Sequence, residues 1–211
     1  MEIKQFVFNH FQVNCFIVWD ASTKDCYIID PGCEELYEYE QLYAFVDKNE
    51  LHPQAIMLTH AHIDHICGLR DVCDHYHLPV SLHADGKKLL GQAELYGSVM
   101  NFRTKPLDDL DCRFIEHGDH IGPFECRHVP GHCPGSLAFI LHDERVVITG
   151  DALFRGSIGR TDLPGGNYDT LMHSIYTQLL TLDDLFEVLP GHGDTSTIGE
   201  EKMYNGFLQV E

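Results

Sequence analysis

Residues 54–65 read QAIMLTHAHIDH, an apolar run of strand length that ends in three histidines and an aspartate within six positions. A surface patch would scatter such imidazoles and a core would avoid them, whereas a metal ion gathers them beside a carboxylate. If the chain stays extended past the strand, His60, His62 and Asp64 project to one side. His65 then reaches the same region from the turn into the next helix. The spacing differs from HExxH, in which one helix face supplies the ligands. A chain with this segment must bring a strand end to its functional surface, as open α/β sheets do.

One segment cannot close a metal site, and the same pattern of apolar run, tight turn and single donor recurs three times. VPGHCPGS offers His132, VVITGDALF offers Asp151, and EVLPGHGDTS offers His192. Around these donors, IKQFVF, NCFIVWD and CYIIDPG read as three early strands, and residues 34–50 carry Leu36, Tyr39, Tyr43 and Val46 at helical spacing. Helices are predicted near 66–76, 85–97 and 168–182, with strands at PVSLH and around 112–116, 124–129, 137–141 and 145–149. Strands at both ends with helices between and after them predict an α/β chain of two sheets covered by helices.

The 211 residues suit one domain, and 44% apolar composition without low-complexity tracts predicts a packed core. With 33 acidic against 14 basic residues, the net charge of −19 and the lack of a basic run weigh against nucleic-acid and anionic-membrane partners. The N-terminus lacks the pattern of a signal peptide and no stretch is long enough for a membrane helix, so a cytoplasmic protein is expected. The eight cysteines form no CxxC pair and read as buried thiols.

HAHIDH followed in order by His132, Asp151 and His192 resembles the metallo-β-lactamase superfamily. Within it, NCFIV, DPG, PGHCPGS, TGDALF, GRTDLPGG and PGHGDTSTIGEEK resemble the glyoxalase II-like hydrolases over nearly the whole chain. The resemblance implies an αββα sandwich of two mixed sheets flanked by helices, formed by residues 1–211 as a single domain. By the family pattern His60, His62 and His132 hold one metal, Asp64, His65 and His192 hold a second, and Asp151 bridges the two. Asp64 and Asp151 are then also the catalytic carboxylates. Two divalent ions share a hydroxide that can attack a carbonyl at neutral pH. Zinc suits these donors, and iron and manganese are compatible with them. The expected reaction is hydrolysis of a small thioester such as S-lactoylglutathione.

Two other readings come from different classes. A mononuclear iron persulfide dioxygenase would use the equivalents of His60, His132 and Asp151 and resembles this chain around GRTD, although its last ligand motif differs from PGHG. A non-catalytic binding module would not need all seven donors. Flavodiiron proteins carry glutamate where this chain has His62, many β-lactamases carry cysteine where it has Asp151, and the acidic balance weighs against the ribonuclease branch. Arg160 matches a basic substrate-binding position, but the tyrosine expected beside it is absent. The chain ends at Glu211, without the C-terminal helical extension that helps full-length glyoxalase II enzymes bind glutathione. Oligomeric state is not encoded legibly. The ten histidines outside the seven-donor set, His117 and His120 among them, are expected in turn, surface or hydrogen-bonded roles.

Overall fold

The computed structural model describes residues 1–209, which form two compact units. Unit one comprises Met1–Leu82 and Lys87–Phe114; unit two comprises His83–Gly86 and the chain from Ile115 onward.

Unit one is built on a six-stranded mixed sheet in sequence order: β1 (Glu2–Phe8), β2 (Val13–Trp19), β3 (Asp25–Ile29), β4 (His52–Met57), β5 (Val80–Leu82) and β6 (Cys112–Phe114). The first three strands pair antiparallel through short turns, and the remaining pairs are parallel. Parallel neighbours need a crossover. The crossovers are α1 (Leu36–Lys48), then α2 (Ile63–Ile66) with α3 (Leu69–Tyr76), then α4 (Lys87–Leu90) with α5 (Ala93–Met100). β2 is buried along its whole length, as its VNCFIVW run requires, whereas the edge strand β1 alternates in exposure. Leu42 and Val46 of α1 join its core.

Unit two holds β7 (His120–Ile121), β8 (Phe124–His128), β9 (Leu137–Leu141), β10 (Val146–Gly150), the hairpin β11 (Leu153–Phe154) and β12 (Ser157–Ile158), α6 (Tyr168–Ser174), β13 (Glu187–Pro190), β14 (Ser196–Thr197) and α7 (Ile198–Tyr204). Its six-stranded sheet runs β14-β13-β10-β9-β8-β7, antiparallel except for the β10/β13 pair, whose crossover contains α6. Thr197 and Glu200 cap α7 reciprocally, at 3.1 Å and 3.0 Å. Among the described residues no helix is long and apolar enough to cross a membrane.

Two predicted elements differ from those observed. The 85–97 segment breaks into a tight turn, α4 and α5, and the 168–182 helix widens at Ile175–Leu179, where the Leu180 N–H bonds back to the Ile175 carbonyl at 2.9 Å. Leu171, Ile175 and Leu179 are nevertheless all buried, so the helical spacing identified the core face correctly.

Gly131 combines φ +127° with a position where a Cβ would lie 2.2 Å from the Leu171 backbone nitrogen. Gly131→Ala therefore meets both an unfavourable backbone region and a backbone clash, and is expected to cost about 3 kcal/mol. In thermal unfolding this corresponds to a Tm lower by roughly 6–12 °C for a chain of this size.

Candidate metal centre

In unit one, β4 gives up its ladder after Leu58, whose N–H still reaches the Ser81 carbonyl. The next amide, that of Thr59, donates instead to the Asp30 carboxylate at 2.7 Å. The chain then does not continue extended: the His65 N–H bonds the His62 carbonyl at 3.0 Å, and residues 63–66 close into α2. Asp64 thus lies in a helical turn rather than on an extended strand continuation, because a side chain at the end of β3 has taken over the amide that would have prolonged the strand.

Asp30 is buried and φ +52° turns its backbone at the head of the Asp30-Pro31-Gly32 turn. Its carboxylate also accepts the Thr59 hydroxyl at 2.5 Å and faces His65 Nδ1 at 2.9 Å. With its proton committed to Asp30, the Thr59 oxygen is an acceptor for His60 Nδ1–H at 3.1 Å. One carboxylate therefore assigns the tautomer of two imidazoles, leaving Nε2 of both His60 and His65 as the lone-pair atom. His60 Nε2 lies 3.1 Å from His62 Nδ1, and His65 Nε2 lies 3.6 Å from Asp64 Oδ2. Ligand atoms on one tetrahedral ion are separated by about 3.3 Å, so both pairs are spaced as metal donors are.

The turn is held from behind. Asn9 Nδ2 donates to the Gly32 and Asp64 carbonyls, each at 2.8 Å, and a Cβ on Gly32 would stand 2.2 Å from the Asp64 carbonyl oxygen. Cys33 and Cys67 lie close by, and burial pushes both thiols well above the ordinary range. Among the described residues the cysteines are free thiols, buried except for the partly exposed Cys112.

Unit two holds the other three donors. His132 follows Pro130-Gly131, a turn anchored by Asn167 N–H to the Gly131 carbonyl and Ser174 Oγ to the Pro130 carbonyl, both at 2.8 Å. His132 Nδ1 donates to the Arg160 carbonyl at 2.8 Å, which again frees Nε2. Asp151 follows β10, and the Gly191 N–H bonds the Gly150 carbonyl at 2.8 Å, bringing the end of β13 to the end of β10. Asp151 Oδ2 consequently lies 3.6 Å from His132 Nε2 and 3.7 Å from His192 Nε2. These distances exceed a hydrogen bond but suit a carboxylate oxygen flanked by two imidazole donors.

The seven residues predicted from sequence lie in two clusters, His60, His62, Asp64 and His65 in unit one and His132, Asp151 and His192 in unit two. The arrangement also contains parts that motif reading passed over: Asp30, Thr59, Asn9 and the Arg160 carbonyl. Asp30 left a signal, an aspartate closing an apolar strand, but it reads equally as a turn residue. The Arg160 side chain is exposed and paired with Asp162 through two 2.7 Å bonds, which hold the Asp162 carboxyl at about 2.

A further group, His83, Asp85 and His128, lies within unit two. The two rings stack at 4.0 Å with planes 9° apart. An ion bound by both imidazoles must lie in both ring planes, which parallel stacked rings cannot offer. Burial and the neighbouring ring hold His83 below its usual pKa, and His128 faces the Pro134 carbonyl at 2.7 Å. The pair packs the Ala84–Gly86 turn against the second sheet's end.

The metallo-beta-lactamase superfamily model matches residues 9–192. The chain is 38% identical over 204 residues to hydroxyacylglutathione hydrolase GloC of Haemophilus influenzae, covering 94% of this chain and 93% of that protein. It is 42% identical over 206 residues to a Bacillus subtilis protein named probable metallo-hydrolase YqgX, covering 93% and 92%. The crystal structure of TTHA1623 in a di-iron-bound form superposes with a TM-score of 0.89 at 36% identity, covering 97% of this chain and 100% of that one. The chain belongs to the metallo-beta-lactamase superfamily, with its fold, and is one of its metallo-hydrolases. The expected α/β class with two mixed sheets is borne out.

Asp30→Asn is expected to loosen both His60 and His65 while retaining their shape. Loss of an outer partner of a ligating histidine weakens metal binding by about 10–100-fold, measurable by competition with a chromophoric chelator.

Proposed function

We propose that this metallo-hydrolase is dinuclear and cleaves a small thioester, with acylglutathiones such as S-lactoylglutathione as the leading candidates. The observation that carries the reading is Asp151, whose Oδ2 is flanked by Nε2 of His132 and of His192, the disposition a bridging carboxylate requires. In this reading His60, His62 and His132 hold one ion, Asp64, His65 and His192 the other, and residues 1–211 act as one catalytic domain. The similarity to GloC supports the substrate class. The nitrogen and oxygen donor set fits zinc, and the di-iron form of TTHA1623 keeps iron among the candidates.

Divalent ions held there supply Lewis acidity and a hydroxide nucleophile at neutral pH. The protein's own part is to aim the imidazoles. Asp30 and the Arg160 carbonyl do so by accepting hydrogen bonds from Nδ1–H of His65 and His132, and the Thr59 hydroxyl oxygen by accepting that of His60. A departing thiolate is stable enough to leave without a dedicated acid, so the reading needs no further titrating side chain. The substrate partner is a small molecule, and the expected location is the cytoplasm.

Purified protein is expected to carry close to two metal ions per chain by elemental analysis. Asp151→Ala should lose metal as well as thioesterase activity. Thiol release from S-lactoylglutathione or a simpler thioester should proceed equally with and without oxygen. Strict oxygen dependence with sulfite as product, and a single tightly held iron, would replace this reading with persulfide oxidation.

Arg160 is proposed to meet an anionic substrate at the end of the Gly-rich segment. Its guanidinium already pairs with the exposed Asp162, so a substrate carboxylate gains only the difference between two solvated partners. Arg160→Ala should raise KM for an anionic thioester by up to about 10-fold, with kcat little changed. A neutral thioester should be indifferent. Equal effects on both substrates, or none on either, would remove Arg160 from substrate binding.

A further inference from the structure

We propose that Glu201 is a positioning residue for His132, acting through the β11–β12 hairpin; only its consequence for metal affinity rests on the metal-hydrolase reading. Glu201 sits on α7 and is 2% exposed. Its carboxylate receives the Gly156 N–H on both oxygens, at 2.9 and 3.2 Å, and Asn205 Nδ2 at 2.7 Å. Asn205, also buried, donates the same nitrogen to the Ser157 carbonyl at 3.0 Å. A hairpin with two residues in each strand has too little ladder to hold its own shape. Its tip, with Gly156 at φ +67°, is therefore fixed by α7.

The other end of the hairpin touches the donors. Gly159 is packed so closely that a Cβ would lie 1.9 Å from the Asp151 carbonyl oxygen and 3.1 Å from His132 Cβ. The next carbonyl, that of Arg160, is the acceptor for His132 Nδ1. A shift at the tip is thus carried along a few residues of backbone to the carbonyl that accepts from His132 Nδ1. Burying a carboxylate against neutral donors is costly, and apolar packing would close a helix end more cheaply. The cost is understandable if the hairpin must be held in one position.

The test uses the full chain. In the metal-free protein at alkaline pH, nitrogen NMR of the His132 ring should show the Nδ1-protonated tautomer dominant. Glu201→Ala should mix the tautomers, accelerate Gly156 amide exchange by more than about 10-fold, and weaken zinc binding by about 10-fold in chelator competition. Glu201→Gln keeps an acceptor for Gly156 but turns an N–H toward Asn205, so it should fall between the two and serves if the alanine variant fails to fold. Lys202→Ala is the control on the same helix, because it removes the 2.7 Å pair with Asp184 without touching the hairpin. It should keep the wild-type tautomer and zinc affinity. The inference is overturned if Gly156 is released while the His132 tautomer and zinc affinity stay unchanged, or if Lys202→Ala reproduces the effect. A wild-type chain that binds no zinc would count against the metal reading alone, and the tautomer measurement would still decide the role of Glu201.

Discussion

The buried Asp30 carboxylate is the constraint on which the first donor set depends. It ends β4 by capturing the Thr59 amide, it assigns the His65 tautomer directly, and it assigns that of His60 through the Thr59 hydroxyl. A carboxylate in a low-dielectric site is expensive unless its acceptor capacity is used. Here three donors use it, and the resulting rigidity is transferred to two imidazoles. The strand end, the turn and the ligand orientation are in that sense one interaction.

Unit two solves the same problem with backbone rather than with an acid. His132 is oriented by a carbonyl, and that carbonyl is delivered by a hairpin running out from Asp151 and back. Close backbone approaches do the rest: Gly131 against α6 and Gly159 against Asp151 leave no room for a side chain. The difference has an electrostatic consequence. His65 is thus oriented by a charged partner and His132 by a neutral one.

Glycine, proline and acidic residues thus carry much of the site's construction, while the cores supply stiffness. The fully buried β2 and the thiols of Cys33 and Cys67, which burial pushes well above their ordinary range, belong to the packing of unit one.

The sequence by itself determined the candidate donor residues and the elements they follow. HAHIDH, PGH, GDA and PGHG each sit after an apolar run, and side-chain chemistry together with turn residues identifies such positions locally. Leu171, Ile175 and Leu179 likewise revealed a core face through spacing alone. What tertiary structure decided is which ring nitrogen of His60, His65 and His132 keeps its lone pair and what holds each ring there. Asp30 precedes His65 by 35 residues, and Arg160 follows His132 by 28. Hydrogen bonds at such separations are fixed by strand order and crossover, which no local pattern encodes. The same holds for Asp64, which local alternation assigned to an extended run. A side chain from β3 terminated the strand and turned it into a helix, because a buried amide takes the best acceptor in space rather than the nearest in sequence.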